Sequence, residues 1–327
     1  MSEVKKNKKT IVLIFDNIIA LFLLLIFCFV LIRLLPGNQV DILFNTDVGL
    51  EMNQDAYSSM LNRLGLQYSI FDQFISWAKK VLSGDLGYSY IHSASVTSII
   101  ASSLFWSLLL VVISLPISII IGSLSGIYIG LKSERHMSRT IYMLVTILSS
   151  IPGYVIALLL LSYFGFYLQW FPSDGGAMSL LARIDGTIDV IDIIHHAILP
   201  VLSLVVLGSF RYFYLSYGLS IQIKNRPFVF FAIQRGIKGF HLIRYWIFPS
   251  ALPEILSRLS STIPGVITST IFVEIVFSYP GTGGILIEAI NNRDYALVQG
   301  TLFVIGCVIL LLNTVIDIIS AKMSERG

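Results

Sequence analysis

The feature that this sequence lacks most clearly is charge. Only 13% of its 327 residues are Asp, Glu, Lys or Arg, whereas soluble domains carry about a quarter. Hydrophobic residues make up 55% of the chain, and its mean hydropathy is +0.82. This balance excludes an ordinary water-soluble domain and indicates a chain whose solvent is lipid. The formal net charge of +3 is too small and too dispersed for nucleic-acid binding, so we expect no nucleic-acid partner.

The usual signatures of catalysis and metal binding are also absent from the sequence. Cys28 and Cys307 lie in apolar runs, without the spacing of a metal cluster or a disulfide framework. His195 and His196 are adjacent, so on a helix they point about 100° apart and chelate poorly. The loop SYPGTGG (278–284) lacks the lysine and the hydroxyl that end a nucleotide-binding loop. We therefore expect no catalytic residue, no metal and no cofactor in this chain.

Six apolar runs are long enough to cross a hydrocarbon core of about 30 Å. They cover approximately residues 11–35, 99–131, 139–168, 197–221, 253–277 and 297–320. The first run follows four lysines but is longer than the core of a signal peptide, and no cleavage motif follows it, so we expect it to be retained. The fold class predicted is an all-α polytopic membrane protein with six transmembrane helices.

The charges between the runs predict how the chain is oriented. Lys and Arg concentrate before the first run, between the second and third, between the fourth and fifth, and after the sixth. Acidic residues concentrate in the alternate loops. Because excess Lys and Arg mark the cytoplasmic side, we expect both termini and the segment at about 222–250 to be cytoplasmic.

The long segment between the first and second apolar runs suggests a division of the chain at residue 98. Residues 1–98 hold the N-terminal tail, the first helix and a long extracellular segment whose apolar patches indicate a small folded element. Residues 99–327 hold the five remaining helices, in which Gly122, Gly126 and Gly130 line one face and allow close helix packing.

Polar and charged residues inside the spans suggest a translocation path. Small and polar residues recur on one face of the fifth span, which suits either a tight helix interface or a water-lined passage. Charged groups within spans are usually functional or paired, although interfacial anchoring competes with that reading. The path expected consists of Ser261, Gly265, Thr268, Arg211 and Glu274.

The segment FAIQRGIKGFHLIRYW (231–246) is basic and glycine-punctuated, and it contains no acid. We expect Gly236 to end a helix in a left-handed cap and Gly239 to permit a second bend. After these turns, apolar residues at spacing i, i+3 and i+6 predict an apolar stripe on a short helix flanked by basic residues. The stripe consists of Ile237, Phe240 and Ile243, and its flanks are Lys238 and Arg244.

That stripe decides between three uses of the segment. A solvated loop does not need an apolar stripe, and nucleic-acid binding needs a larger basic surface. A short amphipathic helix inserted into a partner's groove fits best, and a helix lying on the membrane surface is the alternative.

The segment resembles the cytoplasmic coupling loop, or EAA loop, of ABC-importer permeases. Ala232 and Gly236 carry the resemblance, and Ala251, Leu252 and Pro253 complete the pattern. The whole chain is similar to the first permease subunit of peptide/nickel-type importers. The matching motifs are LLPGN (34–38), LGLQYSIFDQF (64–74), GDLGYS (84–89), SIPGYVIA (150–157), WFPSDG (170–175), HHAILP (195–200) and EIVFSYPGTGGILIEAINNRDYALVQG (274–300).

The resemblance implies a type I, MetI-like permease fold in a bacterial or archaeal cytoplasmic membrane. It implies a second homologous permease subunit, two cytoplasmic ABC ATPases that bind ATP and Mg²⁺, an extracytoplasmic solute-binding protein and surrounding membrane lipid. The residues expected to couple to the ATPases are Ala232, Arg235, Gly236, Ile237, Lys238, Gly239, Phe240, Ile243 and Arg244. Phe231 and Ile233 depart from the family pattern, which usually has smaller or charged residues there.

The function implied is ATP-driven uptake of oligopeptides or dipeptides by alternating access, with hydrolysis on the partner chains. Within the same class, a permease for nickel or a metal–metallophore complex is the alternative. From another class, a secondary transporter would need intramembrane ion-coupling carboxylates and inverted repeats, neither of which the sequence presents. An ABC-associated receptor without transport also remains open at this point.

Overall fold

The computed structural model describes residues 2–34, 67–173 and 190–324, with side chains from Phe15 to Ser320 within those ranges. The first part of the expected extracellular segment, residues 35–66, lies outside the described residues, as does the loop 174–189.

Helices dominate the described residues, with one short hairpin between the first two long ones. The helices are α1 Ser2–Arg33, α2 Ile70–Leu82, α3 Val96–Gly130, α4 His136–Ser149, α5 Gly153–Leu160, α6 Val190–Lys224, α7 Pro227–Gln234, α8 Gly239–Leu242, α9 Phe248–Ser257, α10 Leu259–Val276, α11 Thr282–Asn291 and α12 Tyr295–Ser324. The π-helical turns Leu161–Tyr167 and Ile243–Ile247 continue α5 and α8. Strand β1 (Tyr88–Ser89) pairs antiparallel with β2 (Ala94–Ser95).

Five helices in the described residues are long and apolar enough to span a membrane. They are Phe15–Arg33 within α1, Val96–Gly130, Val190–Lys224, Leu259–Val276 and Tyr295–Ser320 within α12. Helices α4 and α5, with its π-helical turn, form a sixth span that is bent by 93°. The prediction of an all-α polytopic membrane protein is confirmed, and its six spans are reached when this bent pair is counted as the third.

Contacts with α6 show that the broken span runs back across the membrane. The Tyr142 ring packs against Tyr217 near the end of α6, with centroids 4.7 Å apart. Further along the chain, the Trp170 carbonyl lies 3.1 Å from His195 near the start of α6. The bend itself falls at Pro152, which disfavours helical conformation in the residue before it.

The fifth span differs from its prediction. The sequence placed this span at about 253–277, but α9 ends at Ser257 and α10 begins at Leu259. Arg258 lies at the break, and its side chain is paired with Glu254 at 3.3 Å. Because charged side chains are costly in lipid, the membrane helix begins only beyond this charged pair.

The chain forms two compact units, Met1–Leu104 with Ile285–Leu310, and Phe105–Gly284 with Leu311–Gly327. This division differs from a single boundary at residue 98, because the start of α12 returns to α1. The Gln299 amide donates to the Cys28 carbonyl at 3.4 Å, and Gly306 packs against Leu24. Helices α1 and α12 are therefore antiparallel within the first unit.

The first unit also contains the described part of the segment after α1, for which the sequence predicted a small folded element. The rings of Phe74 and Trp77 on α2 pack against Phe29 of α1, at centroid distances of 5.2 and 5.8 Å. In the hairpin, the buried Ser89 hydroxyl donates to the Asp294 carboxylate just before α12.

In the second unit, α3 and α6 pack in parallel through the three glycines singled out in the sequence. A β-carbon on Gly122 would lie 2.5 Å from the Ser209 carbonyl oxygen. β-Carbons on Gly126 and Gly130, one and two turns further along α3, would lie as close to atoms of α6. The prediction that these glycines permit close helix packing is confirmed.

Candidate functional site

The coupling segment, Pro227–Ile247, begins with a helix whose two ends are set by proline and glycine. Pro227 stands in the first turn of α7, where its missing N–H leaves no hydrogen bond unmade. At the other end, the Gly236 N–H donates to the Ile233 carbonyl at 2.9 Å and the Ile237 N–H to the Ala232 carbonyl at 3.1 Å. These two bonds define a Schellman cap.

Two glycines give the segment its turns. Gly236 has φ +79° and Gly239 has φ +64°, both in the left-handed region that glycine enters without steric cost. A β-carbon at either position would meet no other atom within 4 Å. The predicted cap at Gly236 and bend at Gly239 are confirmed, and backbone conformation alone requires glycine there.

The inner side of the segment belongs to the apolar core of the second unit. Val229, Ala232, Leu242, Ile243 and Ile247 are all buried there. They share that core with Tyr212 of α6, Ile255 of α9 and Leu259 of α10. Ala232, a residue expected to couple to the ATPases, is therefore packed against the protein's own core and holds the segment in place there.

The predicted stripe of Ile237, Phe240 and Ile243 is wrong. Ile237 lies before α8 begins at Gly239, and Ile243 is only 5% exposed. Phe240, in contrast, is 64% exposed. The three residues face different surroundings because the helix starts later than expected and turns π-helical at Ile243.

The outer side of the segment instead presents aromatic and basic residues, which we call the coupling surface. Its apolar members are Phe230, Phe231, Ile233, Phe240 and Tyr245, and its basic members are Arg235, Lys238, His241 and Arg244, all exposed. Within the described residues, no acidic side chain forms an ion pair with these basic groups. Phe231 and Ile233, the residues that depart from the family pattern, thus belong to the exposed surface.

Four of the five candidate path residues lie together around α10. Ser261 and Thr268 are exposed on one face of this helix, and Gly265 lies between them in sequence. Arg211 reaches across from α6, where its Nη1 donates to the Thr262 carbonyl at 3.0 Å. The guanidinium lies directly against Gly265, where a β-carbon would be 2.7 Å from Nη2.

Glu274 lies apart from these four residues, and its place on a translocation path stays a prediction. Its side chain is fully buried. One carboxylate oxygen accepts the Gly283 N–H at 2.7 Å, so the chain beyond α10 folds back over it. The carboxylate thus anchors the SYPGTGG loop.

Because the SYPGTGG loop folds closely over Glu274, it requires glycine where a β-carbon would clash. The sequence motif alone did not reveal this role. A β-carbon on Gly281 would overlap the Glu274 carboxyl group, and one on Gly283 would lie 2.8 Å from the Ile271 α-carbon. At the start of α11, the Thr282 N–H donates to the Ser107 hydroxyl at 2.8 Å. Burial, with a smaller contribution from the nearby Glu274, raises the pKa of Tyr279 to about 12, so this phenol is neutral at physiological pH.

The two adjacent histidines make only local contacts. His196 lies 3.3 Å from Asp192 one turn earlier on α6, while His195 lies beside the Trp170 carbonyl. Among the described residues, no three His, Cys, Asp or Glu side chains are grouped closely enough to hold a metal ion.

Comparison with known proteins defines the class to which this fold and these sites belong. The family described as binding-protein-dependent transport system inner membrane component matches residues 118–326, well over half of the chain. The chain therefore belongs to this family. It is a multi-pass permease subunit of an ABC transporter, which confirms the resemblance and makes the secondary-transporter alternative wrong.

Individual relatives extend the similarity to the N-terminal part. A putative peptide permease protein of Brucella suis is 29% identical over 94% of both chains. The peptide transport system permease protein SapB of Salmonella typhimurium is 28% identical over 77% of this chain and 84% of its own. The nickel import system permease protein NikB of Staphylococcus aureus is 26% identical over 94% of this chain and 88% of its own.

Proposed function

We propose that this chain is the permease subunit of an ATP-driven importer of small peptides. The similarity to two relatives named for peptides supports this cargo, and one of them matches 94% of the chain. A solute-binding protein would deliver the peptide outside, and a second homologous permease subunit would complete the passage. ATP and Mg²⁺ would be bound by two cytoplasmic ATPases.

The permease would be coupled to ATP hydrolysis through the coupling surface. The exposed aromatic side chains of that surface are the observation that supports this part of the proposal. Large apolar side chains exposed next to unpaired basic groups are expensive in water, and such patches mark protein interfaces. Phe231 and Phe240 are 65% and 64% exposed. They would enter an apolar groove on an ATPase, with Lys238 and Arg244 meeting acidic residues at its rim.

The orientation follows from charge. The end of α3 and the end of α6 are joined by an ion pair of Glu134 with Lys224, at 3.0 Å. The basic residues after both helices therefore lie on one side, which the positive-inside rule assigns to the cytoplasm. We place both termini on that side as well, because the lysines near the start of α1 and the basic residues near the end of α12 follow the same rule.

Alternating access would use the polar face of α10. Ser261 and Thr268 are exposed on it, and Arg211 and Gly265 border it. ATP-driven closure of the ATPases would draw the two coupling segments together and open the outer mouth, and hydrolysis would restore the inward-facing state. Such coupling requires that ATP binding change the free energy of the contact at the coupling surface.

Import of nickel or a metal chelate is the second candidate. It is favoured by one observation, the similarity to a nickel import permease over 94% of this chain.

Cargo and energy source are tested together by reconstituting the intact transporter with its binding protein in proteoliposomes. Uptake of radiolabelled trialanine that requires ATP at the ATPases supports the proposal. Accumulation of trialanine without ATP contradicts it, and ATP-dependent uptake of a nickel chelate but not of trialanine supports the second candidate.

The coupling surface is tested by Phe231→Ala and Phe240→Ala, alone and combined. Phe166→Ala is the matched control, because Phe166 is 62% exposed but lies outside the coupling segment. We expect the double variant to reduce the amount of ATPase that co-purifies with the permease by about tenfold, the effect of losing one or two interface anchors. Equal ATPase retention in the double variant and the control would refute the assignment.

A further inference from the structure

Arg211 lies at a small cleft between three membrane-spanning helices. Near the middle of α6, its guanidinium faces a space of about 30 Å³ bounded by α3, α6 and α10. This volume holds one or two waters, or a group of about the size of a carboxylate. The remaining walls are Ser114, Leu115, Ser118, Leu204, Leu207, Gly208, Gly265, Val266 and Ser269.

The hydrogen-bond donors in this cleft are concentrated on one side chain. A guanidinium has five N–H groups, and the hydrogen bond that Arg211 makes in the described structure goes to the Thr262 carbonyl. The hydroxyls of Ser118 and Ser269 donate instead to carbonyls of their own helices, at 2.7 and 2.8 Å. An anion entering the cleft would therefore find most of its donors on Arg211, with the Ser114 hydroxyl as a further one.

No acidic side chain in the described part of the chain forms an ion pair with Arg211. A cation within a span is costly and normally faces a partner or a water-filled cavity. Arg211, Ser261 and Thr268 are all exposed, and the guanidinium contacts α10 at Thr262 and Gly265, between the other two in sequence. Either water in a transport path or an anion from outside these residues would therefore satisfy its charge.

Glycines make the cleft possible. A β-carbon on Gly265 would lie 2.7 Å from Nη2 of Arg211, and one on Gly208 would lie 2.6 Å from the Ser118 hydroxyl oxygen. The guanidinium thus lies directly against the α10 backbone at Gly265. Its hydrogen bond from Nη1 to the Thr262 carbonyl holds it there, and its remaining N–H groups are available as donors.

We propose that Arg211 binds a carboxylate of the cargo as it crosses the membrane. A guanidinium edge and a carboxylate form two parallel hydrogen bonds with charge assistance, which fits a planar group with unused N–H donors beside a cleft of this size. The inference rests on the proposed function as a transport path. The carboxylate belongs either to the C-terminus of a peptide or to the organic ligand of a metal chelate.

A purely structural role for Arg211 predicts something different. If the guanidinium only joins α6 to α10 through Thr262, its loss affects every cargo equally. If it binds a carboxylate, its loss affects only cargo that carries one. Trialanine and trialanine amide differ in this group and are otherwise matched.

Transport of these two probes by the reconstituted complex is the first test, with Arg211→Gln, Arg211→Lys and the control Arg258→Gln. Arg258 is exposed and pairs locally with Glu254. We expect Arg211→Gln to lower trialanine uptake by about tenfold or more, as for a lost charged hydrogen bond, and to remove any preference over the amide. Arg211→Lys should retain charge but lose part of the preference. Equal losses for acid and amide would overturn the inference.

A second test does not require transport. Solid-state NMR on the complex containing ¹⁵N-arginine and ¹³C-carboxyl trialanine measures dipolar coupling between guanidinium and carboxylate. Coupling that persists in Arg258→Gln and disappears in Arg211→Gln supports the inference. The same result with ¹³C-citrate bound to nickel, but not with trialanine, identifies a chelate as the source and rejects peptide cargo. Coupling unaffected by Arg211→Gln, or absent with both probes, overturns the inference.

Discussion

Gly281 lies directly against the carboxyl group of Glu274, so closely that a β-carbon at position 281 would overlap it. The buried carboxylate also accepts the Gly283 N–H. The loop after α10 is therefore shaped around a charged side chain from the last turns of that helix.

Replacement of Gly281 by alanine should destabilise the protein by about 1–3 kcal/mol, the usual cost of forcing an extra group into a packed interior. Gly284→Ala is the matched control, because its β-carbon would first meet the Tyr279 carbonyl oxygen at 3.4 Å. Thermal unfolding in detergent measures the difference. Similar midpoints for the two variants would show that Glu274 does not constrain the loop.

Gly126→Ala should disrupt the parallel packing of α3 on α6. Its β-carbon would overlap the Phe213 carbonyl and lie 3.0 Å from the Tyr217 backbone nitrogen, and backbone atoms cannot move aside as a side chain can. The β-carbon that Gly218→Ala adds on α6 would meet no atom within 4 Å. This variant should be neutral or stabilising, since alanine favours helix. Folded yield after membrane extraction compares the two, and a lower yield for Gly218→Ala would contradict the prediction.

Gly236→Val should uncouple ATP hydrolysis from uptake without preventing membrane insertion. The position has φ +79° but no neighbouring atoms, so the cost is conformational, about 1–2 kcal/mol. Gly236→Asn is the control, because asparagine tolerates left-handed backbone better than valine. Uptake per ATP hydrolysed is the measurement. Full coupling in the valine variant would show that the left-handed cap is dispensable.

Asp294→Ala should loosen the start of α12. One carboxylate oxygen accepts the Leu297 N–H at 3.1 Å, and the other accepts the buried Ser89 hydroxyl. Loss of such an N-cap costs about 0.5–2 kcal/mol. Hydrogen exchange in the first turn of α12 should accelerate in Asp294→Ala and change less in Asp294→Asn, which retains one acceptor. Equal protection in wild type and Asp294→Ala would be inconsistent with capping.

The membrane spans were predictable because hydropathy and length report directly on the cost of placing a segment in lipid. Close packing on one face of α3 was also predictable, since glycines four residues apart leave that face open to a neighbour, but the sequence did not identify α6 as the neighbour. The break at Arg258 was not predictable. Apolar residues lie on both sides of the charged pair, so the sequence does not show that the membrane helix begins only after it.

The exposure of individual coupling residues could not be predicted from spacing. The stripe prediction assumed one regular helix through Ile237 and Ile243, whereas the helix begins at Gly239 and becomes π-helical at Ile243. The surroundings of Glu274 could not be predicted either. A carboxylate in a span indicates function or pairing, and only the folded chain reveals that its partner is a backbone amide nine residues later.

The shared core beneath the coupling segment has a mechanical consequence. Val229 and Ile243 pack in the same apolar cluster as Tyr212 of α6 and Leu259 of α10, and protein interiors are too densely packed to absorb displacement. We therefore expect a displacement of the segment around Phe240 to be transmitted through this cluster to α6 and α10, the helices that carry Arg211 and Gly265.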